Sequence, residues 1–271
     1  MRSGVVFENS LKGSWALVLG SSSGFGEACS LELARRGMNI FGVHLDRRGT
    51  MAKVEGIVEE IKSVGSEVKF YNVNVADAEK RQEVIADIKD TVQQDGSRVK
   101  VMIHSVAFGT LKRYVSDQRR DVLNSKNIDM TLDVMAHSIV YWAQDLVMEG
   151  IMGEGGRIFA MTSSGSHKVW PTYGAVSAAK ASIEAHVRQL AVELAPRGIT
   201  ANSIMAGVTD TPALRKIPGN DKLIDYALGA NPSGRLTTPQ DVAEAIALLS
   251  LDEASWITGN VIGVDGGEDL V

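Results

Sequence analysis

Tyr173 and Lys180 stand seven residues apart in the segment WPTYGAVSAAKASIEA, residues 170–185. An α-helix turns about 100° per residue, so a separation of seven returns to nearly the same face, about 10 Å along the axis. A helix that already includes Tyr173 would point phenol and ammonium into one cleft, the phenol displaced outward by up to one turn. The preceding Trp170-Pro171 leaves that helix start open. Such a pair suits an oxygen that gains negative charge: the phenol donates a hydrogen bond to it in the transition state, and the ammonium favours it by charge. The alternative is a packing tyrosine and a surface lysine.

A second candidate is the loop GSSSGFG, residues 20–26. Gly20 permits a sharp turn, Gly24 lets the backbone approach a pyrophosphate, and Gly26 lets a helix and a strand pack closely. Ser22, Ser23 and Phe25 complete the loop. It joins an apolar run to a helix-period segment, so free N–H groups and partial positive charge at the helix start would face a phosphate.

Both candidates need a frame, and the chain supplies one. Apolar runs at 15–20, 39–45, 68–75, 99–107, 156–162, 199–205 and 260–267 predict seven strands. Helical patterns at 24–36, 51–64 and 78–94, and a long one at 121–149, alternate with them. Short, continuously apolar, helix-separated strands indicate a parallel sheet covered on both faces. No linker or repeat interrupts the rhythm, so residues 1–271 read as a single doubly wound, Rossmann-like α/β domain. The least regular stretch, 208–235, holds three of the six prolines beyond a strand's carboxyl end and is expected to be a substrate lid.

The whole arrangement resembles the short-chain dehydrogenase/reductase superfamily, from about residue 15 to 267. The resemblance rests on G-x-x-x-G-x-G, the Tyr/Lys pair and the closing VDGG. It implies a Rossmann-like domain, usually tetrameric, that binds a nicotinamide dinucleotide. NVNVAD stands where the family binds adenine, which implicates Asn74 and Val75. HSVAFG implicates Ser105, Val106 and Ala107. Gly207, Thr209 and Thr211 fall where the family holds the nicotinamide carboxamide and the phosphates. Asp46 lies 20 residues beyond Gly26, near where an acid would bind ribose hydroxyls, while the family's usual acid position is His44. Arg47 and Arg48 follow, and a guanidinium pairs bidentately with a 2′-phosphate. The expectation is NADPH, with NADH as the alternative.

The superfamily usually places its tyrosine four before the lysine, and here that position is Val176, which neither donates nor accepts a proton. Tyr, six residues, Lys is similar to the pattern of enoyl-[acyl-carrier-protein] reductases. So are Asp133 in place of a structural asparagine, IHSVAFG, and AGVTDT. Ketone reduction delivers hydride and proton to adjacent atoms. Reduction of an α,β-unsaturated thioester puts hydride on the β-carbon while charge develops on a thioester oxygen several atoms away, which an outward phenol would meet. Two features depart from many enoyl reductases: Ser163 replaces a second tyrosine and matches the superfamily's catalytic serine, and the glycine loop is the regular form.

The resemblance therefore implies NAD(P)H-dependent reduction of an enoyl thioester carried on acyl carrier protein or coenzyme A, in fatty-acid elongation. Tyr173, Lys180 and Ser163 are its catalytic candidates. A dienoyl-thioester or ketone reductase, and a catalytically silent nucleotide-binding module, are the alternatives. Tyr114, Trp170, Phe108, Met148, Met152 and Met205 are candidates for covering or lining the substrate, with core packing as the alternative.

A formal net charge of −5 argues against a nucleic-acid surface. No apolar run approaches the roughly 20 residues that span a bilayer, and residues 1–10 lack the pattern of a secretory leader. The single cysteine, Cys29, forms no internal disulfide, which suggests a reducing, cytoplasmic setting. His104, His137, His167 and His186 lack ligand spacing, so no metal site is expected. The family resemblance and the apolar closing segment 255–267 suggest a homotetramer or homodimer.

Overall fold

A computed structural model describes residues 11–271, so the expectation about a leader in residues 1–10 lies outside the described residues. Seven parallel strands form one sheet: β1 (Trp15–Leu19), β2 (Asn39–His44), β3 (Val68–Asn72), β4 (Val99–His104), β5 (Arg157–Ser163), β6 (Thr200–Ala206) and β7 (Val261–Val264). Their spatial order is β3-β2-β1-β4-β5-β6-β7. The order reverses direction between β1 and β4, and open α/β sheets bind ligands in the crevice at the strands' carboxyl ends there.

The helices are α1 (Gly24–Arg35), α2 (Met51–Ser63), α3 (Ala78–Asp95), α4 (Ser125–Leu132), α5 (Ser138–Met148), α6 (Gly174–Leu194), α7 (Asn220–Ala230) and α8 (Pro239–Leu249). The side-chain alternation of β1 explains why its whole run is apolar. Trp15, Leu17 and Leu19 enter one core with Ile85 and Ile88 of α3, Trp142 of α5 and Ile183 of α6. Ala16 and Val18 enter the other, with Leu33 of α1, Ile61 of α2 and Ile246 of α8. Both sheet faces are buried, so no polar position is needed on the central strand. Cys29 lies in the second core; burial pushes its thiol up to about 12, so it packs as an inert apolar group.

Several boundaries differ from the sequence reading. β3 ends at Asn72, β4 at His104 and β7 at Val264, each three residues earlier than its apolar run. The next residues leave the ladder, although Val75 and Val106 still pack on the core. The long helical region begins only at Ser125 and is broken by a π-helical turn, Asp133–His137. Such turns occur mostly as single insertions, often beside functional sites. The stretch 208–235 is not irregular throughout, because α7 lies inside it.

Candidate active site

The glycine loop is shaped by close approach. Gly20 has φ +92°, and a Cβ there would collide with the carbonyl of Ser105; a Cβ on Gly26 would collide with the carbonyl of Gly20. Gly24 has φ +55°, and its missing Cβ would touch the Thr211 methyl at 3.4 Å. The loop, the end of β4 and the segment after β6 therefore converge. Ser23 is the N-cap of α1 and its side chain accepts none of the first-turn N–H groups. A backbone cradle with outward N–H groups fits a dinucleotide pyrophosphate. Ser22, Ser23 and Phe25 are half-buried along it.

At the end of β2, His44 is 4% exposed and its Nδ1 lies 3.0 Å from Asp46 Oδ2. Asp46 Oδ1 accepts from the Thr50 hydroxyl at 2.7 Å. The acid thus has both oxygens engaged, and the Ser22, Thr50 and His44 bonds outweigh burial to hold its carboxyl below the usual range. Arg47 and Arg48 are exposed, and neither guanidinium pairs with a side chain among the described residues.

Asn74 is exposed and its Oδ1 accepts from Ala76 N–H at 3.1 Å, while the Val75 carbonyl accepts from Trp142 Nε1 at 2.9 Å. Val75 is a core residue, 6% exposed, so only its backbone could serve a ligand. Ser105 and Val106 are half-buried and Ala107 is exposed. Thr209 and Thr211 are buried, and the Thr209 hydroxyl donates to the Gly207 carbonyl at 3.0 Å.

The tyrosine lies at the boundary of its helix. α6 begins at Gly174 and Tyr173 is the N-cap, so the helix start left open by the sequence falls one residue after it. Its carbonyl nevertheless accepts from Ser177 N–H at 2.8 Å, so it has joined the helical ladder. Thr172, immediately before, has φ +65°, a left-handed conformation that a β-branched residue rarely adopts. Strain of this kind persists where surrounding structure imposes it, and here it aims the next side chain. The Tyr173 ring lies over Gly165 beside the Ser163 hydroxyl: a Cβ on Gly165 would stand 2.6 Å from the ring and 3.1 Å from Ser163 Oγ. Ser163 Oγ is buried without a completed hydrogen bond. The serine therefore keeps a free donor beside the Tyr173 ring.

Lys180 is 7% exposed, and its Nζ donates to the Met161 carbonyl on β5 at 2.6 Å. It is no surface lysine. Val176 is 5% exposed, and a Cβ on Gly109 would meet its methyl at 2.6 Å, so this position is packed and carries no acid.

Residues 20–268 match the family model described as Enoyl-(Acyl carrier protein) reductase. The chain belongs to the short-chain dehydrogenase/reductase superfamily. Among its relatives is the 1-cyclohexenylcarbonyl-CoA reductase of Streptomyces collinus, 32% identical over 94% of this chain and 87% of that protein. Another is a 3-oxoacyl-[acyl-carrier-protein] reductase of Staphylococcus aureus, 32% identical over 93% and 96%. The solved enoyl-(acyl-carrier-protein) reductase of Anaplasma phagocytophilum, in complex with NAD, superposes with a TM-score of 0.80 at 25% identity, covering 100% of this chain and 96% of that one.

This short-chain oxidoreductase binds a nicotinamide dinucleotide, and its electrostatics suit that cofactor. Burial pushes the Lys180 ammonium down to about 8, while Glu184, one turn further along α6, opposes the shift. Glu184 was not singled out from sequence. Its Oε1 accepts from the Thr162 hydroxyl at 2.6 Å, beside the carbonyl that holds Lys180. The only sequence signal was the four-residue spacing from Lys180. Burial raises the Tyr173 phenol above its ordinary value, against a smaller downward pull from Ser163. His104 is fully buried, bonded to Ser138 Oγ at 2.8 Å, and pushed down to about 3 by burial and by Lys180. It stays neutral and structural.

The substrate-lining candidates separate. Tyr114 lies against Gly174, where a Cβ would stand 2.6 Å from its ring, and so borders Tyr173. Phe108 is 56% exposed in the same loop, Trp170 packs near Gly219 ahead of α7, and Met205 is half-buried at the end of β6. Met148 and Met152 lie where α5 ends and the chain returns to β5, at the opposite edge of the sheet, and do not line the crevice. Among the described residues no cluster of three or more His, Cys, Asp or Glu could hold a metal, and no helix is long and apolar enough to cross a membrane.

Proposed function

We propose that the protein reduces the C=C bond of an enoyl thioester with NADPH. The observation that carries this reading is the pairing of a packed Val176 with a phenol set at the helix start. The position nearest the buried lysine holds no acid, while Tyr173 stands a turn further out beside Ser163.

Bound NADPH supplies the hydride. Lys180, held by Met161, orients the cofactor's ribose and contributes positive charge. As hydride would add at the β-carbon, Tyr173 donates a hydrogen bond to the thioester oxygen where negative charge develops, and Ser163 offers a second donor. A proton drawn from solvent then adds at the α-carbon. The loop bearing Phe108 and Tyr114 and the 208–235 segment cover the acyl group, the latter as a lid. The occupied Asp46 and the free Arg47 and Arg48 support NADPH over NADH, since a guanidinium matches a 2′-phosphate bidentately. The exposed Trp256 and Val261 near β7 support a homotetramer or homodimer, which sedimentation equilibrium checks.

The test is NADPH oxidation with crotonyl against acetoacetyl thioester, each on coenzyme A and on acyl carrier protein. Rapid consumption of the crotonyl substrate alone is expected. Preference for acetoacetyl thioester would replace this reading with ketone reduction, which the relationship to 3-oxoacyl reductases and the placement of Ser163 favour. In the same assay Arg47→Ala/Arg48→Ala should raise the KM for NADPH about tenfold or more and leave that for NADH unchanged. Equal effects on both cofactors would remove the 2′-phosphate role.

A further inference from the structure

The last turn of the chain, Glu268–Leu270, reaches three segments around the crevice. Glu268 is 9% exposed, and both its carboxylate oxygens lie 3.1 Å from the Val208 N–H. One of them is 3.0 Å from where a Cβ would stand on Gly207, a place that the Thr237 hydroxyl also crowds. Gly207 is thus clamped, and Thr209 bends back onto its carbonyl. Asp269 reaches the other flank, pairing with Lys168 at 2.8 Å and His167 at 3.1 Å in the loop that follows Ser163. Asp265 fixes the turn by accepting from the N–H groups of Gly267 and Asp269 at 3.0 and 2.9 Å. Its carbonyl accepts from Asn231 at the end of α7 at 2.8 Å.

A carboxylate this buried is costly unless hydrogen-bonded, and burial with the neighbouring Asp265 raises its pKa. Its backbone partner, the Val208 N–H, is in the segment that leads into Thr209 and Thr211. Thr211 in turn touches the glycine loop at Gly24. A shift of Val208 would move both threonines relative to the pyrophosphate cradle.

We propose that Glu268 is a positioning residue for the cofactor: by clamping Gly207–Val208 it holds Thr209 and Thr211 in place, and through Asp269 the same turn braces the Ser163 loop. This rests on assigning the 207–211 segment to the cofactor and not on the enoyl reading. It can therefore be tested without any substrate. Direct titration calorimetry of the full chain with NADPH would compare Glu268→Ala, Glu268→Asp and Glu268→Gln. Ala removes the acceptor and Asp shortens its reach, whereas Gln keeps a carbonyl oxygen for Val208. Ala and Asp are expected to weaken NADPH binding about tenfold, as for loss of a buried hydrogen bond, and Gln to stay within about twofold of the parent. Should the Ala variant fail to fold, the Asp and Gln pair still decides. Unchanged binding in Asp, or equal weakening in Asp and Gln, would overturn the proposal, the second by tracing the effect to general packing. Loss of crotonyl activity in the parent protein would leave this result untouched and count only against the enoyl reading.

Discussion

Tyr173→Phe is expected to lower kcat with crotonyl thioester by about 10²- to 10³-fold, the range seen when one preorganised donor to a developing oxyanion is removed. The ring already fits above Gly165, and phenylalanine keeps every apolar contact while deleting only the hydroxyl. KM for NADPH should therefore stay the same and the loss should fall on kcat, the pattern of an interaction made in the transition state alone. Ser163 remains as a residual donor, so activity is not abolished; Ser163→Ala combined with Tyr173→Phe should lose more than either change alone. Steady-state kinetics of the three variants checks this. Full activity in Tyr173→Phe would show that the phenol is not the group that meets the thioester oxygen.

Lys180→Met is expected to remove at least about 100-fold of kcat/KM, because the charge that favours the negative intermediate acts in a buried, weakly screened place. Its pH dependence is also defined. With the folded pKa near 8, Lys180 is charged at neutral pH and loses its proton above about 8, so the parent's rate should fall on the alkaline side with an apparent pKa near that value. The stability consequence has the opposite sign. The folded pKa lies below the ordinary 10.5, so between about 8 and 10.5 the unfolded chain binds more protons than the folded one. Stability contributed by this group therefore rises across that window, and the penalty of burying the ammonium, about 3 kcal/mol, is fully present below it. Methionine removes that penalty but leaves the Met161 carbonyl without its donor, at about 1–3 kcal/mol. The two offset, so Lys180→Met should melt near the parent while being nearly inactive. A pH–rate profile and thermal melts at pH 7 and pH 10 test this. A flat alkaline limb would mean that the ammonium charge is not used.

Several features were readable from residue order because they are local. β1 is apolar at every position since both sheet faces are covered, and the alternation with helices reports that covering directly. Gly20, Gly24 and Gly26 could be placed in a tight loop because two of them take positive φ and two leave no room for a Cβ. The seven-residue spacing implied a shared direction for Tyr173 and Lys180 only if the helix included Tyr173, and that residue is the N-cap of α6.

What depended on the tertiary structure involves partners far apart in the chain. Apolar composition continued past Asn72 and His104, but strands end where the neighbouring backbone stops pairing, which hydropathy does not encode. The π-helical turn at Asp133 shows no signal in side-chain period. The helix start beside Tyr173 stayed open because periodicity cannot see that Thr172 takes a left-handed turn just before it. Lys180 has a backbone carbonyl as its partner, 19 positions earlier, and every residue type carries that group. The grip of Glu268 on Val208, 60 residues away, has the same character: a sidechain-to-backbone bond leaves no pattern in sequence. Residue order thus determined the architecture and the chemistry available, through periodicity and conformational allowance. The folded chain alone decided which oxygen or nitrogen each charged group meets, because those pairings come from strand order and helix packing.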